Sequence, residues 1–386
     1  MKRFNFIVLF LFLLSNVIFS QDDQSESNEE SDTKFSFPSL FGEDIYDTED
    51  CDCSNSSFDI PSSAFGLSFG NSKDFTGIRF NTRDCNIGTI NGVNISLWTP
   101  KNPGESSVNG ISFGVAPTAE YLNGIQLGMI GTVSGQDMNG INFGGLAIVS
   151  GRDMNGINMG FLASVANNNM QGFNFGGLAT ISNNNMNGIN FGGLATVSNG
   201  DISGISFGGL ALISNNGMTG INFSSLATVA QGKLVGINFG GLALVSQEGI
   251  TGINLSGIAM VSQDEIRGIN IGGVALVAES DLIGLNFGLG AIVSGDGYIK
   301  GINIGLGAIN AVNDVIGLTV NGYKTECSHL KGINVTVGWS DLEKLSGISI
   351  SSLNKVSGHQ TGISIGLFNI AESLSGIQLG LINIVK

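Results

Sequence analysis

The chain has 386 residues, a formal net charge of −15 and 59 glycines, with only 12% charged residues. This balance excludes the basic surface that nucleic-acid binding requires, so we predict no nucleic-acid partner. Repeated glycines, each costing a helix interior about 1 kcal/mol, exclude a helical repeat and predict an all-β chain.

Residues 1–20 have the pattern of a secretory signal peptide. Lys2 and Arg3 precede an apolar run over residues 6–14, and a more polar stretch leads to the predicted cleavage site. The apolar run is shorter than the roughly 20 residues that a spanning helix needs. We therefore predict an exported protein at the cell surface or outside the cell, with the outer membrane as the alternative.

Residues 21–64 form an acidic leader. Between residues 21 and 53, twelve Asp or Glu residues occur against Lys34 alone. A segment of this composition buries too little apolar surface to order itself, so we predict a disordered tether. An oxidising compartment would permit Cys85 to form a disulfide with Cys51 or Cys53, which would pin the leader to the first repeats.

Residues 65–386 form a glycine-rich repeat domain of about twenty units. The glycine of a Gly-Ile-Asn motif recurs at ten consecutive spacings of sixteen residues, from Gly124 to Gly284. Looser copies begin at Gly77, and the spacings after Gly284 range from 14 to 17 residues as far as Gly376. A period of this length indicates a stacked repeat architecture.

Each unit contains two short stretches that alternate like β-strands. In the unit that begins at Met186, Ile189 and Phe191 flank a polar residue, and Ala195 and Val197 flank a variable one. A period of two is typical of a strand with one packed side. We therefore predict that these four apolar side chains face the interior.

The remaining positions of the same unit predict its corners and its polar contacts. Gly192-Gly193 is the predicted corner between the two strands, and the turn formers at residues 199–201 lead into the next unit. Met186 is predicted to point inward from the turn. Asn190 belongs to a regular asparagine column that we expect to hydrogen-bond along the stack, as in cross-β ladders.

Two all-β architectures fit this pattern. In a β-solenoid, each 14–18-residue unit is one coil, and about twenty coils stack at about 4.8 Å. The alternative is an up-and-down outer-membrane β-barrel of about twenty strands. The barrel would expose Ser352 and Asn354 to lipid, and two Trp and four Tyr are too few for two aromatic girdles. We favour the solenoid.

Repeats such as GISIGLFNIAESLS and GIQLGLINIVK resemble the short glycine-rich surface repeats of leptospiral-type and Bacteroidetes exported proteins. A core of the form GI-x-(F/I/L)-G-x-(L/I) carries the resemblance, which covers nearly all of the chain after about Gly77. The resemblance implies an exported, surface-associated protein and supplies no catalytic residues.

We predict no catalytic, cofactor-binding or metal-binding residues and no enzyme activity. The chain has no HExxH motif, and its two histidines, His329 and His359, offer little material for a catalytic triad. Turn acids such as Asp137 and Asp153 do not recur in every unit, as a calcium-binding β-roll would require. Cys327 and His329 lie two residues apart, which does not make a metal site.

These observations predict a non-enzymatic surface protein that serves as a structural spacer or as an adhesion and interaction module. Its partner would be an unknown surface ligand or envelope component, and its unprotected ends could associate end to end. One alternative function is an outer-membrane channel or scaffold, the only case that involves a membrane. The other is a glycan- or ice-binding solenoid that uses the asparagine column.

Overall fold

The computed structural model describes residues 55–101 and 105–386, which form a β-solenoid of about 19 coils. Every regular element in these two ranges is a β-strand. The predicted fold class is therefore confirmed. The predicted signal peptide, the predicted leader as far as residue 54, Cys51 and Cys53 lie outside the described residues.

One coil consists of a long strand, a corner, a short strand and a turn. In the coil of residues 186–201, the long strand is Met186–Gly192 and the short strand is Ala195–Ser198. The chain bends between them at residues 193–194, and residues 199–201 form the turn. The corner and the turn therefore lie where the glycine pair and the polar residues predict them, to within one residue.

Eleven coils in the middle of the solenoid share this plan. Their long strands are Met138–Gly144, Met154–Gly160, Met170–Gly176, Met186–Gly192, Ile202–Gly208, Met218–Ser224, Leu234–Gly240, Ile250–Ser256, Ile266–Gly272, Leu282–Gly288 and Ile299–Gly305. Their short strands are Ala147–Ser150, Ala163–Ala166, Ala179–Ser182, Ala195–Ser198, Ala211–Ser214, Ala227–Ala230, Ala243–Ser246, Ala259–Ser262, Ala275–Ala278, Ala291–Ser294 and Ala308–Ala311.

The coils at either end are less regular. The preceding strands are Ser57–Pro61, Phe65–Gly70, Phe75–Arg83, Thr89–Trp98, Ser107–Gly114, Thr118–Ala119, Tyr121–Gly128 and Gly131–Ser134. The following strands are Asp314–Asn321, Lys324–Thr336, Trp339–Ile350, Leu353–Ile365, Phe368–Leu374, Ile377–Leu379 and Ile382–Val385. Lys324–Thr336 pairs with the short strand Ala308–Ala311 through its first residues and with the long strand Asp314–Asn321 through its later ones, so the polar turn disappears there, where the repeat spacing shortens.

Strands of the regular coils pair in parallel with their copies one coil away. Ile189 lies opposite Phe173 on one side and Ile205 on the other, an offset of one repeat in each direction. An up-and-down barrel requires antiparallel pairing between consecutive strands. The barrel alternative for the fold is therefore wrong.

The glycine that marks the period is required by the stacking of the coils. Gly188 has a φ angle of 112°, and a Cβ atom built on it would lie 2.2 Å from the carbonyl oxygen of Gly172 in the preceding coil. Glycine adopts a positive φ without the steric cost that other residues incur. The column therefore kinks every long strand and lets successive backbones approach closely.

The faces of the strands are the reverse of those predicted. Asn190 is 1% exposed and points inward together with Met186 and Thr196, whereas Ile189 is 46% exposed and points outward with Phe191. The inward position of the methionine is confirmed, and the inward positions of the isoleucine and phenylalanine are wrong. The short strand is reversed as well, since its variable residue is buried.

The same reversal applies to the predicted inward positions of Ala195 and Val197, which are half-buried on the outside of the short strand. The physical reason is the narrow interior. Each regular coil admits one apolar side chain from the start of the long strand, one side chain from the short strand that is either apolar or a Ser or Thr, and a compact polar side chain, in most coils an asparagine, that hydrogen-bonds to neighbouring coils.

A strand of the described chain lies before the predicted domain boundary at residue 65. Ser57–Pro61 is a strand that pairs antiparallel with Phe65–Gly70, the first strand of the stack. The prediction of disorder throughout residues 21–64 is therefore wrong for this segment. The reason is composition: the acidic run ends at Asp52, and the strand contains only Asp59 as a charged residue.

Candidate interaction surface

The cysteines and histidines do not assemble a reactive site in the described ranges. Cys327 is free and buried, and burial raises the pKa of its thiol to about 12, so the thiol stays protonated. His329 Nε2 lies 2.8 Å from a serine hydroxyl, and burial lowers the pKa of this imidazole. Cys85 is disulfide-bonded, and its predicted partners, Cys51 and Cys53, lie outside the described residues.

The turn acids hold neighbouring turns together. Asp153 Oδ1 accepts a hydrogen bond from the backbone N–H of Asn169 at 3.0 Å, and Asp201 Oδ1 accepts one from Gly217 at 2.9 Å. Asp137 accepts hydrogen bonds from Arg152, which lower the pKa of its carboxyl group. Within residues 55–101 and 105–386, no three His, Cys, Asp or Glu residues cluster in a way that could hold a metal ion.

The asparagine column forms a buried ladder. Asn158 Nδ2 donates to Asn174 Oδ1 at 2.8 Å, and Asn174 Nδ2 donates to Asn190 Oδ1 at the same distance. The predicted hydrogen bonding along the stack is therefore confirmed. Because these side chains are inside the solenoid, the predicted glycan- or ice-binding face built on this column is wrong: no ligand reaches the amides.

A buried polar cluster that the sequence analysis missed fills the same column near the start of the solenoid. Arg79 is fully buried and forms an ion pair with Asp84. Its guanidinium also donates to Asn94 Oδ1 at 2.7 Å and to Asn71 Oδ1 at 2.9 Å. Aligning the first repeats could have revealed this cluster, because Arg79 takes the position of the asparagine column and lies opposite Asn94. The cluster is buried, and its polar groups find their hydrogen-bond partners within the first coils.

The outside of the long strands is a continuous apolar surface, which we call the Ile–Phe face. It consists of two columns that run through fifteen consecutive coils. The first, 37–48% exposed, comprises Ile111, Ile125, Ile141, Ile157, Phe173, Ile189, Ile205, Ile221, Ile237, Ile253, Ile269, Leu285, Ile302, Leu318 and Ile333. The second comprises Phe113, Leu127, Phe143, Met159, Phe175, Phe191, Phe207, Phe223, Phe239, Leu255, Ile271, Phe287, Ile304, Val320 and Val335.

Aromatic rings are stacked along the second column. The rings of Phe191 and Phe207 lie 4.8 Å apart between centroids with an interplanar angle of 3°, and those of Phe223 and Phe239 lie 4.6 Å apart. Phe175 extends the same stack by one coil. The ring spacing follows the stacking distance between parallel strands, about 4.8 Å. The rings therefore form an ordered ridge on the outside of the protein.

Three further apolar columns continue this surface around the coil. The corner presents the Leu ridge: Leu146, Leu162, Leu178, Leu194, Leu210, Leu226, Leu242, Ile258 and Val274, all exposed. The short strands present the Ala–Val face, on which the alanine column accompanies Val149, Val165, Ile181, Val197, Ile213, Val229, Val245, Val261, Val277 and Val293, most of them half-buried.

No charged residue occupies any of these columns. Between residues 137 and 281 the charges are eight acidic and three basic side chains, all at the turn or at the exterior position beside it. From a strand spacing of about 4.8 Å and a residue rise of about 3.3 Å, the fifteen-coil Ile–Phe face is roughly 72 Å long and 13 Å wide. Its area of about 900 Å² exceeds the largest apolar patch of a typical monomer.

The exposed surface was not found from the sequence because its residues were assigned to the interior.

Among the described residues, no helix has the length and apolarity needed to cross a bilayer. No family model, curated protein or solved structure matches this chain. Functional inference therefore rests on the geometry of the solenoid and the chemistry of its surface.

Proposed function

We propose that the protein is a non-enzymatic, exported repeat protein that serves at the cell surface as a structural spacer and interaction module. The solenoid provides the spacing, since 19 coils at about 4.8 Å extend over roughly 90 Å. Its exterior provides the interaction, through the Ile–Phe face, the Leu ridge and the Ala–Val face. The partner is a surface ligand or envelope component that offers apolar area.

The observation that carries this proposal is the uninterrupted, uncharged Ile–Phe face. An isolated exposed isoleucine has no special meaning, but a contiguous apolar patch of this size marks an interaction site. The interior offers no competing site, because its columns are occupied by packed side chains and by amides paired with one another. Binding therefore takes place on the outside of the coils.

Retention of the full chain on an octyl-coated sensor tests the apolar surface. The test variant carries Ile189→Lys, Ile205→Lys and Ile221→Lys. The matched control carries Asn187→Lys, Ser203→Lys and Thr219→Lys, which add the same charge to the same three coils at the exterior position beside the Ile–Phe face. Full burial of an isoleucine contributes about 1.5–3 kcal/mol, so we expect the test variant to bind at least about tenfold more weakly than wild type.

The control variant should be retained like wild type. Equal retention of all three proteins, or equal loss in both variants, would contradict the proposed role of the Ile–Phe face. Surface location is tested separately by treating intact producing cells with an external protease. We expect the repeat domain to be cleaved on intact cells, whereas protection until the cells are lysed would contradict the surface role.

A further inference from the structure

We propose that the Ile–Phe face binds the Ile–Phe face of a second copy of this chain, so that two solenoids pair side by side as a two-fold dimer. This inference rests on the proposed function, because it names the partner of the same exterior surface. A two-fold interface uses one patch on both subunits, which a self-complementary surface satisfies.

The shape of the face suits its own copy. Two ridges, the isoleucine column and the phenylalanine column, run along the solenoid axis and are separated by a groove above the inward-pointing asparagines. Both ridges repeat with the strand spacing, as the 4.8 Å ring separation of Phe191 and Phe207 shows. A ridge of one copy fits the groove of the other, which is the dry interdigitation found between paired sheets of repeated side chains.

The area of the face matches the requirement of a stable dimer. The flat area derived above, about 900 Å², compares with the roughly 800 Å² that each partner contributes to a standard protein interface. The central part is entirely apolar, and polar residues border one side: Asn155 Nδ2 donates to Asn139 Oδ1 at 2.9 Å in an exterior column that includes Asn187. An apolar centre beside a polar rim is the usual anatomy of an interface.

The distribution of charge favours a second copy over an anionic membrane. The acidic turns, such as those of Asp153 and Asp201, lie beyond the polar border and not on the Ile–Phe face. Face-to-face pairing therefore keeps the two acidic edges apart. An anionic lipid surface attracts basic flanks, and the excess of acidic over basic residues along this edge would be repelled by it.

Sedimentation velocity of the full chain over a broad dilution series tests the pairing. We expect a concentration-dependent monomer–dimer equilibrium. Phe191→Lys with Phe207→Lys places four lysines in one dimer interface and should weaken the dimer at least about 100-fold. A matched control should leave the dimer unchanged: Val197→Lys with Ile213→Lys on the Ala–Val face, which adds the same charge outside the proposed interface. Circular dichroism identifies any variant that fails to fold.

A monomer at every concentration would overturn the pairing, and continued retention of that monomer on the octyl sensor would leave the proposed function standing. A dimer that survives the phenylalanine substitutions would also overturn it and would point to another contact, such as the predicted end-to-end association. Flotation with phosphatidylcholine vesicles tests whether the Ile–Phe face binds lipid instead. A wild-type chain that floats as a monomer binds lipid through this face and does not pair.

Discussion

Replacing Asn238 by aspartate tests the buried asparagine ladder directly. Asn238 Oδ1 accepts from Asn222 Nδ2 at 2.9 Å, and its Nδ2 donates to Asn254 Oδ1 at 2.8 Å. Aspartate has the same shape, but its ionised form has no proton to donate. The protonated carboxyl group retains both contacts, because one oxygen accepts and the hydroxyl donates.

The cost of the substitution follows from this need for a proton. An aspartate in an unfolded chain has a pKa of about 3.9, and one pKa unit corresponds to about 1.36 kcal/mol. Holding Asn238→Asp protonated at pH 7 therefore costs up to about 4 kcal/mol. Because the pKa in the folded state is raised above the unfolded value, stability is fully present below about pH 3.9 and is lost as the pH rises.

Amide hydrogen exchange in residues 234–256, corrected for intrinsic exchange rates, measures the local opening free energy at several pH values. Exchange is preferable to a global melting curve because coils of a solenoid open locally. The control is Ile237→Asp on the adjacent residue, which is 45% exposed and should show little dependence on pH. Equal pH dependence in both variants, or none in Asn238→Asp, would refute the assignment of asparagine to the inside and isoleucine to the outside.

Three further predictions concern individual contacts. Gly188→Ala places a Cβ atom 2.2 Å from a backbone oxygen at a residue with positive φ, and it should lower the free energy of unfolding by at least about 2 kcal/mol. The control Gly217→Ala, whose Cβ would lie 3.2 Å from its nearest atom, should change this free energy by less than about 1 kcal/mol. Equal effects of the two substitutions on amide hydrogen exchange would contradict the prediction. Arg79→Met leaves Asp84 buried without its cation and should destabilise the first coils by about 3–5 kcal/mol. Limited proteolysis should then show new cleavage sites in the first coils, and an unchanged digestion pattern would contradict the prediction. Cys327, with a pKa of about 12, should resist iodoacetamide at pH 9 until the chain is denatured, and prompt labelling of the folded chain by mass spectrometry would disprove its burial.

The architecture could be predicted because the repeat constrains it strongly. A fixed period, glycines at a corner and turn formers at residues 199–201 specify a coil, and identical columns specify that each coil stacks on its copy. The orientation of the side chains required one more step. Strict alternation from Met186, which was predicted to point inward, places Asn190 inside and Ile189 outside, as the structure has them.

The expectation that apolar residues face the core led to the opposite assignment. That expectation fails here because Asn190 finds its hydrogen-bond partners only in neighbouring coils, which no short window of sequence displays. The candidate surface was lost with it, since the same isoleucines and phenylalanines cannot both fill the core and bind a partner. The strand Ser57–Pro61 was missed although its partner lies close in sequence, because this segment was assigned to the acidic leader as a whole.

The asparagine ladder also gives the solenoid an electrical direction. From Asn222 to Asn286 every amide of the ladder donates to the asparagine of the later coil, which leaves Asn222 Oδ1 and Asn303 Nδ2 without partners at the two ends of this run. Aligned amide dipoles add, as they do in a helix, so the early end is negative and the late end positive. Keeping the two acidic edges of the proposed dimer apart requires a two-fold axis that runs along the solenoids, so both ladders point the same way and the dimer has one negative and one positive end.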